Sequence, residues 1–360
     1  MFINIAKIIL LCGAFAFAEQ LSQENSFNTL RGFAYNPYGT LGAAPSIADI
    51  LQKPSDIYGH KFVYVSPESG SGYSAFDLAG GSALLSFDQS LMLGYAKSFY
   101  GLLLSVSPYK FCNRIYDDSY ECSSKSKISL DFSVPLGSSV IYAHTGKANT
   151  GGYYEEDGDG DIVSYKRELS VSEVYIGITG GNRLVWDLRF DFDRYKNSFS
   201  GYGYKSDFTP YEFDFADYLT DLEFLFNFGY KVLQSDRLKF IVGLNNQFSY
   251  QYYSYDYDHV SRYYLLATVS PNFLGEFALT KHLLAFVGAS YSLSSYVLLY
   301  SDDTKIETFS IDNDEPGAYA GLRYEYKNLA VETRLQSDVF GELFGGNNPF
   351  IALGVFFFFR

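Results

Sequence analysis

The chain has 360 residues, of which 47% are hydrophobic, 19% charged and 19% aromatic, and its formal net charge is −14. Its length allows one large β domain or two ordinary ones, and 34 Tyr with 33 Phe against 2 Met and 1 Trp favours strands over helices. The acidic balance argues against a nucleic-acid partner and against attachment to anionic lipid through net charge.

Residues 1 to 18 read as a signal peptide. Lys7 supplies a basic start, residues 8 to 17 an apolar run, and Ala16-Phe17-Ala18 an A-x-A cleavage site before Glu19. Removing Lys7 takes the charge from −14 to −15. Cys12-Gly13 would suit a lipoprotein, but Leu11 stands where a small residue is needed. No later stretch offers the 18 or more uninterrupted apolar residues of a spanning helix. Insertion into a membrane must therefore use strands, which a closed barrel permits because every backbone N–H and C=O is paired between strands.

Residues 19 to 72 form a separate N-terminal segment. It is rich in turn formers around Asn36-Pro37 and Gly39, and Ser46 can cap a short helix through Ile47, Ala48, Ile50 and Leu51 that Pro54 stops. Such a segment can plug a pore as a hatch or remain a periplasmic tail, and both readings stand.

From residue 73 to 360 the dominant signal is alternation with period two, as required of strands that show lipid and lumen alternate side chains. In 221 to 232, Leu222, Phe224, Phe226, Phe228, Tyr230 and Val232 share one face, while Asp221, Glu223, Asn227 and Lys231 share the other. In 183 to 194, Leu184, Trp186, Leu188, Phe190 and Phe192 alternate with Arg183, Asp187, Arg189, Asp191 and Asp193. The pattern continues in 238 to 250 and in 320 to 335, where Arg323, Glu325 and Arg334 take the polar face.

Short turns are expected at 135 to 138, 180 to 182, 234 to 236, 280 to 281 and 327 to 328. Long polar loops are expected at 108 to 126, 147 to 165, 195 to 216, 251 to 260, 300 to 315 and 338 to 348. Short periplasmic turns alternating with longer external loops are what outer-membrane barrels show. The expected fold is therefore all-β, a transmembrane antiparallel up-and-down β-barrel. Eleven strands count back from the C-terminus to residue 127, and three more fall at 75 to 87, 91 to 97 and 100 to 107. That gives about fourteen, with twelve as the alternative.

The chain ends in an apolar strand from Pro349 to Phe359. Ile351, Val355, Phe357 and Phe359 resemble the terminal signal that outer-membrane barrels present to their assembly machinery, with Arg360 one residue beyond the usual terminal aromatic. The architecture, an N-terminal segment ahead of about fourteen strands, resembles the long-chain fatty-acid transporter superfamily, which implies a hatch inside the lumen.

Candidate sites follow from chemistry. Arg189, Asp191, Asp221, Glu223, Lys231, Arg323, Glu325 and Arg334 are expected to line the lumen. Cys112 and Cys122, within one polar segment of an exported chain, are expected to form a disulfide closing a loop. Asp157, Asp159 and Asp161, interleaved with Gly158 and Gly160, have the look of a calcium loop, but Glu168 is not at the spacing of a later bidentate ligand, so a solvated loop tip is the alternative. The tyrosines of 250 to 258, with Tyr202, Tyr204 and Tyr211, suit either an aromatic girdle or ring stacking on a ligand.

Of His60, His144, His259 and His282, His144 has Ser138, Ser139 and Thr145 close by in sequence but no nucleophile context around it, so no enzyme activity and no resident cofactor are expected. The expected function is a channel or transporter passing small solutes or hydrophobic compounds. Its expected partners are outer-membrane lipids and lipopolysaccharide, the barrel assembly machinery and a small-molecule solute. A non-transporting barrel, serving as a secretion or assembly accessory or as a surface binder, is the alternative.

Overall fold

A computed structural model describes residues 47–66, 71–87, 90–114, 120–158, 161–204, 210–255, 260–290, 293–300, 306–313, 317–326, 329–335 and 351–358. The expected signal peptide and residues 19 to 46 of the expected N-terminal segment lie outside these. The described chain opens with helix α1 (Ile47–Gln52) and a 3-10 turn (Pro54–Ile57). The expected helix is thus present, and Pro54, which cannot continue it, starts the tighter turn instead.

Eighteen strand segments follow in one antiparallel sheet. These are β1 (Phe62–Ser66), β2 (Ser71–Leu78), β3 (Gly81–Phe87), β4 (Leu91–Lys97), β5 (Tyr100–Arg114), β6 (Tyr120–Leu136), β7 (Ser139–Gly158), β8 (Asp161–Gly181) and β9 (Leu184–Tyr204). The second half holds β10 (Pro210–Gln234), β11 (Leu238–Tyr255), β12 (Val260–Ala278), β13 (Leu283–Ser290), β14 (Leu293–Tyr300), β15 (Ile306–Asn313), β16 (Gly317–Tyr326), β17 (Leu329–Leu335) and β18 (Ile351–Phe358).

Sequential neighbours pair from β1 to β12, and β12 then pairs with both β13 and β14 along different halves. β14 pairs with β15 and β13 with β16, so β13 with β14, and β15 with β16, each fill one place in the order. The described segments therefore occupy sixteen places. Near the short turns the pairing runs right round, because β18 lies between β17 and β1. At the opposite end β15 is paired only with β14 among the described residues, and the sheet is not closed along its full height.

The eleven strands counted from the C-terminus are all present. Ahead of residue 115 there are five where three are expected. Residues 75 to 87 turn back at Ala79 and Gly80, and β1 lies inside the segment expected to precede the barrel. The turn has φ +49° at Ala79 and +76° at Gly80, the conformation that suits the right-handed twist of a two-residue hairpin. Ala79 carries a Cβ where it is unfavourable. Replacing Ala79 with Asn is expected to raise stability by about 0.5–1 kcal/mol, read as a higher urea midpoint with an unchanged slope.

Where the expected long loops fall within the described residues they are strand. β10 has 25 residues, and β8 and β9 have 21 each. A tilted strand needs only about 9–11 residues to cross hydrocarbon, so these ladders continue well past it. The tyrosines, serines and charged residues of 147–158, 161–165, 195–204 and 210–216 still alternate and can stay paired in water, where nothing forces the ladder to stop.

The two faces differ sharply. Ile128 is 55% exposed, Ile176 56%, Phe190 46%, Phe248 50% and Leu322 47%, all on one face. Residues of the alternate set, Ser129, Asp131, Asp187, Ser249 and Arg323, are buried. So large an exposed apolar surface exceeds what a water-soluble monomer tolerates, and polar residues turned inward complete the pattern of a transmembrane β-barrel. Ile351, Val355 and Phe357 fall on the apolar face by register, opposite Leu335, Val331 and Leu329. Phe359 lies outside the described residues.

Candidate functional site: the charged inner face

All eight residues expected to line the lumen share the face opposite the apolar one. The inference is by register: Asp191 stands across from Glu223, and Asp193 from Asp221. The same parity carries through β11, β12 and β13 to Arg323 and Glu325 on β16, and to Arg334 on β17, which pairs across from Gly321. Lys231 is on this face near the short-turn end of β10. The structure brings these residues together only in part. Arg189 and Asp191 form a two-point pair, with Nε donating at 2.8 Å and Nη2 at 2.7 Å. Arg323 Nη1 lies 4.0 Å from Glu325 Oε1 on the far side of the sheet order.

The densest part of the face lies on β6 to β10. One row reads Ser133, Tyr142, Gly177, Arg189; the next reads Asp131, His144, Tyr175, Asp191, Glu223; a third reads Ser129, Gly146, Glu173, Asp193, Asp221. Tyr142 OH donates to Asp187 Oδ1 at 2.7 Å, and Tyr175 OH to Asp131 Oδ1 at 3.2 Å. His144 Nδ1 meets Asp131 Oδ1 at 2.7 Å, its ring is stacked 4.7 Å from that of Tyr175, and its Nε2 lies 3.7 Å from Glu173 Oε2. Lys127 pairs with Glu173. Glycine at 177 is what lets Tyr142 lie flat across β8, since a Cβ there would fall 2.3 Å from the tyrosine ring.

Asp221 accepts from Ser249 Oγ at 2.7 Å and from Gln251 Nε2 at 3.0 Å. Glu173, Asp193 and Asp221 thus stand side by side on β8, β9 and β10, a like-charge arrangement that costs stability in a sheet. Only Glu173 of the three has a basic partner among the described residues. Near the short turns a second pair, Lys239 and Glu276, is buried with Nζ to Oε2 at 3.8 Å.

The sequence reading missed Lys127, Asp131, Glu173 and Tyr142, and it named His144 without placing it on this face. The signal was available in 127 to 133, where Lys, Ser, Asp and Ser alternate with Ile, Leu and Phe. Which side chains on different strands would meet depended on register, which alternation alone does not set.

Residues 50 to 59 of the expected N-terminal segment rest on this same face. The Ser55 N–H donates to Ser133 Oγ at 2.7 Å and the Gly59 N–H to Ser82 Oγ at 3.0 Å. Ile50 and Ile57 are buried in a cluster with Phe62, Tyr73, Ala75, Leu84, Ala96 and Leu103. β5 admits the turn only because residue 101 is glycine, since a Cβ there would lie 2.0 Å from Ser55 N and 2.1 Å from the Pro54 carbonyl carbon. The contacts sit beside the short turns that end β2, β4 and β6.

Of the remaining expectations, Cys112 and Cys122 face each other directly in the β5–β6 register. Asp157 and Asp161 fall at the facing ends of β7 and β8, and Asp159 lies outside the described residues. Among the described residues no group of three or more His, Cys, Asp or Glu is placed to hold a metal ion.

No family model and no curated protein matches the chain. Among solved structures, it is similar to the toluene transporter TbuX of Ralstonia pickettii at 6% identity, over 87% of this chain and 94% of that one, with a TM-score of 0.43. It is similar to the toluene transporter TodX of Pseudomonas putida at 8% identity, over 90% and 97%, with a TM-score of 0.39. With the alcaligin outer membrane receptor FauA of Bordetella pertussis the identity is 12% and the TM-score 0.40, over 76% of this chain. The chain spans 42% of that receptor's length.

Proposed function

We propose that the chain is an integral protein of a bacterial outer membrane that passes small polar solutes through its charged interior, with residues 47 to 61 narrowing the short-turn mouth. The observation that carries this reading is the charged inner face on β6 to β12 behind an apolar outer one. A sheet of sixteen places, once rolled, is wide enough to leave an aqueous space. Ion pairs held against the wall, such as Arg189 with Asp191, leave that space free instead of bridging it. A hydrophobic compound would gain nothing from such a wall, so polar solutes are favoured over apolar ones.

Planar-bilayer recording of the refolded chain tests the proposal. Discrete conductance steps are expected, and a folded, inserted protein that gives no current would leave the non-transporting scaffold as the better reading.

The disulfide is part of the same proposal. Facing residues of an antiparallel pair have Cα atoms roughly 4.5–5.5 Å apart, within the span a disulfide bridges. Alkylation of the denatured, unreduced protein is expected to leave Cys112 and Cys122 unmodified, and reduction beforehand to add two labels by mass. Labelling without reductant would show the thiols free.

A further inference from the structure

The apolar belt has a basic rim, although the chain is acidic as a whole. On the outer face, one row across the sheet reads Lys147, Ser172, Arg194, Thr220, Tyr252. The row beyond it, toward the loops, places Ser170, Lys196 and Tyr218 side by side. The row on the other side, toward the short turns, is Val174, Phe192 and Leu222. The three cations therefore mark the level at which hydrocarbon gives way to polar surroundings at the loop end. Loop ends of such barrels face outward.

Lys147, Arg194 and Lys196 are exposed, and among the described residues none of them has a carboxylate partner. Arg194 and Lys196 are both aligned on the Tyr218 ring, at 5.4 and 5.8 Å from its centroid. The carboxylates of Asp191 and Asp193 belong to the inner face, and Glu168, further out on β8, is held by Lys166. Lys147 and Arg194 are two strands apart, which is roughly 10 Å. Between them lies Ser172, and Ser170 stands beside Lys196 in the next row.

We propose that Lys147, Arg194 and Lys196 form a binding site for the phosphate groups of a phosphorylated glycolipid in the outer leaflet, with its acyl chains lying on the apolar row formed by Val174, Phe192 and Leu222. Charge complementarity at the headgroup level selects this occupant: three cations with no carboxylate partner among the described residues meet a phosphate-bearing surface, next to hydroxyls that can donate to its oxygens. The site rests on the outer-membrane reading and is independent of whether the barrel conducts.

The test uses the refolded full chain in detergent, with heat-modifiable migration as a separate check of folding and native mass spectrometry as the readout. Bisphosphorylated lipid A is expected to be retained at least about tenfold better than its dephosphorylated form, with the preference shrinking as salt rises. The K147Q/R194Q/K196Q variant is expected to lose that preference, at about fivefold per cation removed. Equal retention of the two lipids by the wild-type protein overturns the site without any variant. So does an undiminished preference in the folded triple variant. A chain that stays soluble without detergent would instead overturn the outer-membrane reading itself.

Discussion

Gly101→Val is expected to drive residues 47 to 61 off the inner wall while leaving the sheet intact. A side chain at 101 would collide with the backbone at Pro54 and Ser55, with its first carbon 2.0 Å from a backbone nitrogen. Backbone cannot rotate away as a side-chain tip can, so the cost exceeds the roughly 1–3 kcal/mol of ordinary overpacking. Valine itself is well suited to a strand, and β5 keeps its pairing with β4 and β6. Loss of the Ser55 bond to Ser133 and exposure of Ile50 and Ile57 follow.

Two measurements read the outcome. Limited proteolysis in detergent is expected to cut within 47 to 61 in the variant and not in the wild type. Single-channel current is expected to rise, because the segment no longer narrows the mouth. If the segment becomes cleavable and the current does not change, the segment is a structural brace and not a restriction. Mild acid is expected to act in the same direction. Burial lowers the pKa of the His60 imidazole below its ordinary value. The docked state therefore keeps its full stability above pH of about 6.5 and loses it as pH falls below that, since the released chain takes up the proton more readily.

The second large effect concerns charge. Neutralising Asp193 and Asp221 together, as D193N/D221N, is expected to lower the preference for cations over anions several-fold while making the folded protein more stable. Both consequences come from one geometry. Glu173, Asp193 and Asp221 stand in register on three adjacent strands, and each like-charge neighbour in such a row costs about 0.2–1 kcal/mol. A wall that retains this repulsion presents a concentrated negative field to the interior, which raises the local cation concentration.

The reversal potential in a potassium chloride gradient reads the selectivity, and a thermal or urea midpoint reads the stability. In the wild type the selectivity is expected to fade between 0.1 and 1 M salt, as the screening length shrinks from about 10 to about 3 Å. A variant that gains stability with unchanged selectivity would mean that the solute path runs elsewhere and the acidic row is only a structural strain. Lys127 and Arg189 are not suitable substitutes for this test, because removing either would leave Glu173 or Asp191 without its partner and confuse the two effects.

The sequence by itself determined the class of fold. Period-two alternation in 183 to 194 and 221 to 232 assigns each residue to one of two faces, and this depends only on the geometry of a strand. The same rule placed Arg189, Asp191, Asp221, Glu223, Lys231, Arg323, Glu325 and Arg334 on one face without any knowledge of their neighbours. Turn residues such as Gly137 and Gly181, both with positive φ, were legible because they interrupt the alternation.

The tertiary structure alone decided what depends on register and on how far a ladder extends. The polar stretches at 147–158, 161–165, 195–204 and 210–216 look like loops, yet hydrogen bonding to an equally long neighbour keeps them as strands. β1, five residues long, carries too short an alternation to stand out, and it is fixed by pairing with β18 and β2 from opposite ends of the sequence. The meeting of Tyr142 with Asp187, of His144 with Asp131, and of the 3-10 turn with Gly101 follows from side chains on different strands being brought to one height. A single strand's pattern tells which face a residue takes, and only pairing across strands tells which residues it meets there.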